Sequence, residues 1–402
     1  MPIQLKWTLV AALLAATPAP AGAPPAGTGG ECPFEITSNK PFVRVAINGS
    51  APQWFILDTG CSGGSVIAKE CADRLGLEQG GEVRRHVGAG AGVSVGIATT
   101  PDVTLEVAGD TLGAPALRVF SLAHVAPFEG RRLDGLLGED FLRRHVVEID
   151  YQARRLRIID PAGYAPRPSA TVVPIELDTG LAVASGAITP AGGKSIPCRF
   201  VIDTGVRTTV VMFHPFAARH GFLDPGRRML TATVGGGAGG ETRGDIGRLD
   251  SLRIGSFSFA RPTAIFSRDT VGVFAGGDPD GIVGGELLRR CRVTFDYPHE
   301  RLVLEPYPGP KAAFEYDMSG TFLVGEGPDY SRIRIFSVAE KTPAADAGLR
   351  RDDEIVSIDG RPAADLGLEG ARELFRKPAR YRLEITRGGT RIKVELATRR
   401  LV

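Results

Sequence analysis

The sequence has little net charge, few cysteines and histidines, and no apolar run long enough to cross a bilayer. Forty-eight basic residues face 46 acidic ones, a net charge of +2 over 402 residues. That balance offers no basic stripe for nucleic acid and no pull toward an anionic membrane surface. The five cysteines (Cys32, Cys61, Cys71, Cys198 and Cys291) form no C-x-x-C pair and no cluster with the six histidines, so neither a metal nor another cofactor is expected. Cys198 and Cys291 are open to pairing; the others suit buried, small apolar positions. The apolar run Trp7–Ala16 follows Lys6 and leads to Ala21-Gly22-Ala23. It is too short for a membrane span. It has the form of a secretory signal over residues 1–23, although an uncleaved disordered tail would read alike. The expectation is an exported protein, periplasmic or secreted.

Glycine (52) and proline (29) are abundant, which suggests many turns and short strands. Hydrophobic residues at 43% and charged ones at 23% are ordinary globular values, and the length allows two or three domains.

The strongest signal is an internal duplication. FILDTGCSGGSVI at 55–67 returns as FVIDTGVRTTVVM at 200–212, and DGLLGEDFL at 134–142 as DGIVGGELL at 280–288. VEIDYQARRLRI at 147–158 returns as VTFDYPHERLVL at 293–304. The spacing is kept: Gly76 and Gly221 each lie 18 residues past their aspartate, and Gly138 and Gly284 lie 80 and 81 past it. Alternation at Val43, Val45 and Ile47 predicts a half-buried strand. A strand then runs into D-T-G, and the short helices AKECADRLG and HPFAARHG end at Gly76 and Gly221, where left-handed backbone is tolerated. Residues 160–170 link the copies.

The first copy alone allows two chemistries. Gly60-Cys61-Ser62-Gly63-Gly64 fits a serine-hydrolase elbow, and Asp58-Thr59-Gly60 fits an aspartic protease. The second copy favours the aspartate, because Arg207 replaces Ser62 while D-T-G is kept. No histidine falls in a pattern that connects to Ser62. A third D-T-G, at Asp178, lies opposite Thr37–Lys40 in the repeat and reads as a turn. If Asp58 and Asp203 meet across a pseudo-twofold, they share a proton. One then serves as general base on a water while the protonated one polarises a carbonyl.

On these motifs, D-T-G followed in register by Leu136-Leu137-Gly138 and Ile282-Val283-Gly284, residues 33–308 resemble two retropepsin-type aspartic protease domains in tandem. The resemblance implies a mainly β, two-lobed fold with β-barrel lobes at 33–160 and 171–308 and one peptide cleft between them. Asp58 and Asp203 take the catalytic positions. Thr59 and Thr204 take the locking positions, supported by Gly60 and Gly205. Gly88, Gly90 and Gly92, and Gly235, Gly237 and Gly240, stand where the family has flaps, though plain hairpins read alike. The G-x-G-x-x-G formed by the second set lacks the βαβ context of a dinucleotide site.

Two positions depart from the family: Cys61 and Val206 follow the D-T-G motifs, and Arg207 takes a place where retroviral enzymes carry an acid. Arg207 is expected first to face solvent; the alternatives are lowering the dyad's pKa or selecting acidic substrate side chains.

Residues 311–402 resemble a bacterial protease-associated PDZ domain (α+β), carried by Thr342-Pro343-Ala344-Ala345-Asp346-Ala347-Gly348-Leu349 and Asp353–Gly360. The resemblance implies capture of a peptide's C-terminal carboxylate in a groove at Gly320, Thr321, Phe322 and Leu323, with a helix at Leu368–Lys377 as its other wall. A packing module is the alternative. The whole reads as an aspartic endopeptidase acting on protein or peptide substrates and working as a monomer. A non-catalytic peptide-binding scaffold is the competing class.

Overall fold

The computed structural model describes residues 29–402 apart from 88–93, 115, 178–179, 225, 227–228, 238–239 and 310–311. The chain is mainly β, with two barrel-like lobes and a third, smaller domain. The lobes repeat one strand pairing. In the first, Gln53–Leu57 runs parallel to Gly135–Leu137, which is antiparallel to Val66–Ala68, itself parallel to Arg118–Phe120. In the second, Ile196–Ile202, Gly281–Val283, Val210–Met212 and Thr263–Ser267 pair in the same senses. The registers also match: Phe55 faces Gly135 as Phe200 faces Gly281.

The D-G-x-x-G motif has a structural duty in this pairing. The Asp134 carboxylate accepts the Trp54 amide at 2.9 Å, and Asp280 accepts the Arg199 amide at 3.0 Å. Each aspartate thereby pins the strand that delivers D-T-G. The short helices Lys69–Arg74 and His214–Arg219 follow, and Gly76 (φ 64°) and Gly221 (φ 65°) are left-handed where the sequence places their ends.

The expected half-buried strand, Lys40–Ile47, is buried on both faces except at Arg44, which stacks on Trp54. It pairs with Gln53–Leu57 along one edge and Val103–Val107 along the other, and side chains on both faces are buried. None of the five cysteines forms a disulfide; Cys198 and Cys291 lie on separate strands and are not bridged to each other.

The lobes join through the duplicated closing hairpins. Val146–Asp150 pairs antiparallel with Cys291–Asp296, and the strands Arg155–Ile159 and Arg301–Pro306 flank them. Gly30–Pro33 and Thr171–Glu176 complete the six. At this seam Arg292 of lobe two donates to Asp150 of lobe one at 2.6 Å, and the Tyr307 hydroxyl donates to the same carboxylate at 2.9 Å. Burial alone would raise the Asp150 pKa. The Ala153 amide, Arg292 and Tyr307 outweigh it and hold the carboxylate below its usual range.

In the third domain, strands Thr321–Glu326, Arg332–Val338, Glu354–Ile358, Arg380–Arg387 and Thr390–Ala397 form a sheet with Thr321–Glu326 at one edge. The helix Ala363–Phe375 breaks at left-handed Gly367 and is regular from Leu368, close to the expected start of the groove wall.

A depressed carboxylate contributes stability above its unfolded pKa and loses it in acid. Asp150→Asn should therefore destabilise the chain by about 1–3 kcal/mol at neutral pH in urea unfolding. The difference from wild type should shrink as the pH falls below about 4.

Candidate active site

Each D-T-G begins where a wholly buried strand end runs out, at Leu57 and Ile202. The Asp58 amide donates to Leu137 O and the Asp203 amide to Val283 O, both at 2.9 Å, so each D-T-G loop hangs from its own lobe's hydrophobic-hydrophobic-Gly strand. The chain then turns back, with the Gly60 amide donating to Asp58 Oδ1 at 2.9 Å and the Gly205 amide to Asp203 Oδ1 at 2.7 Å.

The threonines exchange bonds across the axis. The Thr59 amide donates to Thr204 Oγ1 at 3.1 Å, and the Thr204 amide to Thr59 Oγ1 at 3.0 Å. Each hydroxyl in turn donates into the opposite lobe, Thr59 to Ile202 O at 2.7 Å and Thr204 to Leu57 O at 2.6 Å. Both side chains are buried, so each of these groups depends on its partner. The loops approach so closely that a Cβ on Gly60 would lie 2.2 Å from Asp203 Oδ2. One on Gly205 would lie 2.4 Å from the Asp58 carboxyl. Glycine is required here for space.

The two carboxyl groups act on each other directly. Burial, and then the charge of Asp58, push Asp203 up to about 8 against the Gly205 amide and Lys40. Burial also raises Asp58, opposed by Lys40, the Gly60 amide, Asp203 and Arg118. The pair titrates as a unit, with one proton held between them into the neutral range.

Sequence reasoning missed Lys40, whose charge acts on both aspartates. It sits at the start of the first lobe's Lys40–Ile47 strand, outside the repeated motifs, and pairs with Glu129 at 2.6 Å. Both side chains are buried, at 12% and 3% exposure. Arg118 was missed too; it donates to Cys61 Sγ at 3.1 Å and to Gly64 O at 2.5 Å. Cys61, one of the departures from the family, is buried beside Asp58, and burial followed by that charge keeps its thiol protonated.

The other expected residues divide. Ser62 is half-buried, and none of the histidine contacts among the described residues involves it. Gly88, Gly90 and Gly92 lie outside the described residues, as does Asp178. Gly235 and Gly237 lie on the strand Leu230–Gly237, which pairs with Gly240–Ile254 as a hairpin. This hairpin packs on the PDZ loop, and Leu230, Ala232 and Thr233 line a crevice with Gly320, Thr321 and Phe322.

Arg207 is half-buried rather than fully exposed. It lines a cavity of about 80 Å³ between lobe two and the third domain, beside Asp317, Glu369 and Arg372, with its guanidinium 5.5 Å from the Phe322 ring. The sequence expectation failed because the third domain covers this position.

Gly320, Thr321, Phe322 and Leu323 stand at the start of the edge strand Thr321–Glu326, and the amides of this loop are already engaged. Asp317 Oδ1 accepts from the amides of Ser319 (2.9 Å) and Gly320 (2.6 Å), and the Thr321 amide donates to Ser319 Oγ at 3.0 Å. Burial pushes Asp317 up to about 6 against these bonds and Arg207.

Comparison with known proteins agrees with this geometry. An aspartyl protease family model matches residues 43–141 and again 188–287, and a PDZ domain model matches 334–387. A carboxyl-terminal-processing protease from Synechocystis sp. is 32% identical over 120 residues, 29% of this chain. The match spans 28% of that protein's length. Both copies of the repeat thus match one family model, and both D-T-G motifs fall inside the matched segments. The chain is a tandem of two retropepsin-like aspartyl protease domains followed by a C-terminal PDZ domain.

Proposed function

We propose that the protein is an aspartic endopeptidase in which Asp58 and Asp203 form one shared-proton dyad. The observation that carries this reading is the pair of D-T-G loops locked by Thr59 and Thr204, each packed by its glycine against the carboxyl of the other. The ionised carboxylate takes a proton from a bridging water, whose oxygen attacks the peptide carbon. The protonated partner donates to the carbonyl oxygen, giving a neutral tetrahedral intermediate. Collapse of that intermediate breaks the C–N bond as a proton passes to the leaving amine, and the dyad is left with a single proton again. Both aspartates belong to one chain, so a monomer suffices.

The PDZ domain serves peptide recognition in this reading. The apolar run Trp7–Ala16 and the small residues after it support export from the cytoplasm. Among the described residues no helix is long and apolar enough to cross a membrane.

Asp58→Asn and Asp203→Asn should each lower peptide cleavage by about 10³-fold or more, whereas Ser62→Ala should stay within about twofold. A pepstatin-like mimic that binds while a mixed peptide library stays uncut would instead favour a non-catalytic scaffold. Asp203 has a raised pKa, so between about pH 4 and 8 the folded chain holds a proton that the unfolded chain releases, and stability falls as the pH rises through that window. Asp203→Asn removes this slope and should raise the melting temperature at pH 8 by a few degrees, on the order set by 1 kcal/mol of relieved strain.

Cleavage should persist toward neutral pH and fall as the dyad loses its proton near pH 8. Lys40 favours the ionised carboxylates, so Lys40→Met combined with Glu129→Gln, which strands no buried charge, should move the basic limb of the pH–rate profile upward. An unmoved limb would remove Lys40 from the site.

A further inference from the structure

Among the described residues, the edge of Thr321–Glu326 that faces the helix Ala363–Phe375 has no partner strand. A segment of lobe one lies in that groove. The short helix Ala126–Glu129 and Gly130 pack against the strand and reach the helix. Arg372 on the groove helix donates at 2.9 Å both to Phe128 O and to Leu323 O, tying the inserted segment to the strand beside it. The Phe128 ring packs against both Phe322 (5.9 Å) and Phe336 (5.4 Å), which also touch each other at 6.2 Å, so the three rings form one cluster. Gly130 is so close to both walls that a Cβ on it would lie 2.7 Å from Leu368, and one on Gly325 would lie 2.9 Å from Gly130 Cα.

The inserted segment is also wired to the cleft. Phe128 lies against the flap hairpin of lobe two, where a Cβ on Gly236 would meet its ring at 2.3 Å. The next residue, Glu129, is the partner of Lys40, whose charge acts on the dyad.

We propose that the PDZ groove is closed from within by Phe128–Gly130, and that its external ligand is an internal peptide segment bearing an aromatic side chain, which replaces Phe128. The occupant's own chemistry identifies the ligand: a ring against the Phe322–Phe336 pair and a main-chain carbonyl on Arg372. A free C-terminus is not required, because Asp317 and Ser319 already engage the amides of Ser319, Gly320 and Thr321. Entry of such a peptide displaces Phe128, releases the flap hairpin from it and loosens Glu129 from Lys40. The consequence for catalysis rests on the dyad reading above; the binding does not, and it is measured without cleavage.

The probe is a fluorescent heptapeptide copying His124–Gly130, acetylated and C-terminally amidated, titrated by anisotropy against the full chain. Wild type binds weakly because only the fraction with an open groove is competent; Phe128→Ala raises that fraction and should tighten binding by about tenfold or more. Hydrogen exchange along Leu230–Gly236 should quicken in the same variant. Phe336→Ala damages the pocket from the PDZ side, so it should quicken exchange alike yet leave peptide binding weak. The free-acid peptide should match the amide within about twofold. Equal binding by wild type and Phe128→Ala, or by a probe whose phenylalanine is replaced by alanine, would overturn the self-occupied groove. A tenfold preference for the free acid would overturn the internal-segment ligand, and unchanged exchange at Leu230–Gly236 would overturn the link to the flap.

Discussion

The exchange of hydrogen bonds between Thr59 and Thr204 is the constraint on which the rest depends. Two carboxyls buried this close together repel once both ionise, and the lobes carrying them would relax apart if nothing opposed it. The threonines oppose it with four bonds of 2.6–3.1 Å, all between lobes and all away from water. Opening the lobes would strand buried amides and hydroxyls at about 1–3 kcal/mol each. The six-stranded seam and the Asp150–Arg292 pair then hold the same separation from the far side. The dyad can therefore be held close without the stability of either lobe depending on it.

What was legible in the sequence was whatever the duplication forced into register. Asp58, Asp203, Thr59 and Thr204 meet as their spacing implied, and Gly76 and Gly221 end their helices in left-handed backbone. The aspartates of D-G-x-x-G also carried a signal, though their work of pinning the strand before D-T-G became visible only in the hydrogen bonds. Arg207, Lys40 and Phe128 were illegible for a common reason. Each acts across a boundary between domains, and such contacts leave neither a periodicity nor a repeat in the chain. Arg207 looked exposed because its own lobe does not bury it; the PDZ domain does.

The lobes share a backbone but not a charge environment. Behind each catalytic loop a carboxylate meets a hydroxyl: Asp140 with Ser65 at 2.6 Å in lobe one, Glu286 with Thr209 at 3.3 Å in lobe two. Asp140 stays within its lobe, whereas Glu286 also binds Arg376 on the end of the PDZ helix. Lobe one instead supplies Lys40 and Glu129. The PDZ domain is thus tied to lobe two behind its catalytic loop, and to lobe one through Phe128 in its groove.

That arrangement bears on how a symmetric dyad can be controlled. A shared proton makes the two aspartates nearly interchangeable, so a device that acted on both loops alike would only strengthen or weaken the whole lock. Control without unlocking needs a group that touches the cleft from one side and can leave. The 126–130 segment meets both conditions. It is a single short turn whose contacts run to the flap hairpin, to the PDZ groove and, through Lys40, to the field at the carboxyls. None of these contacts is part of the threonine exchange, so the segment can move while the lobes stay locked.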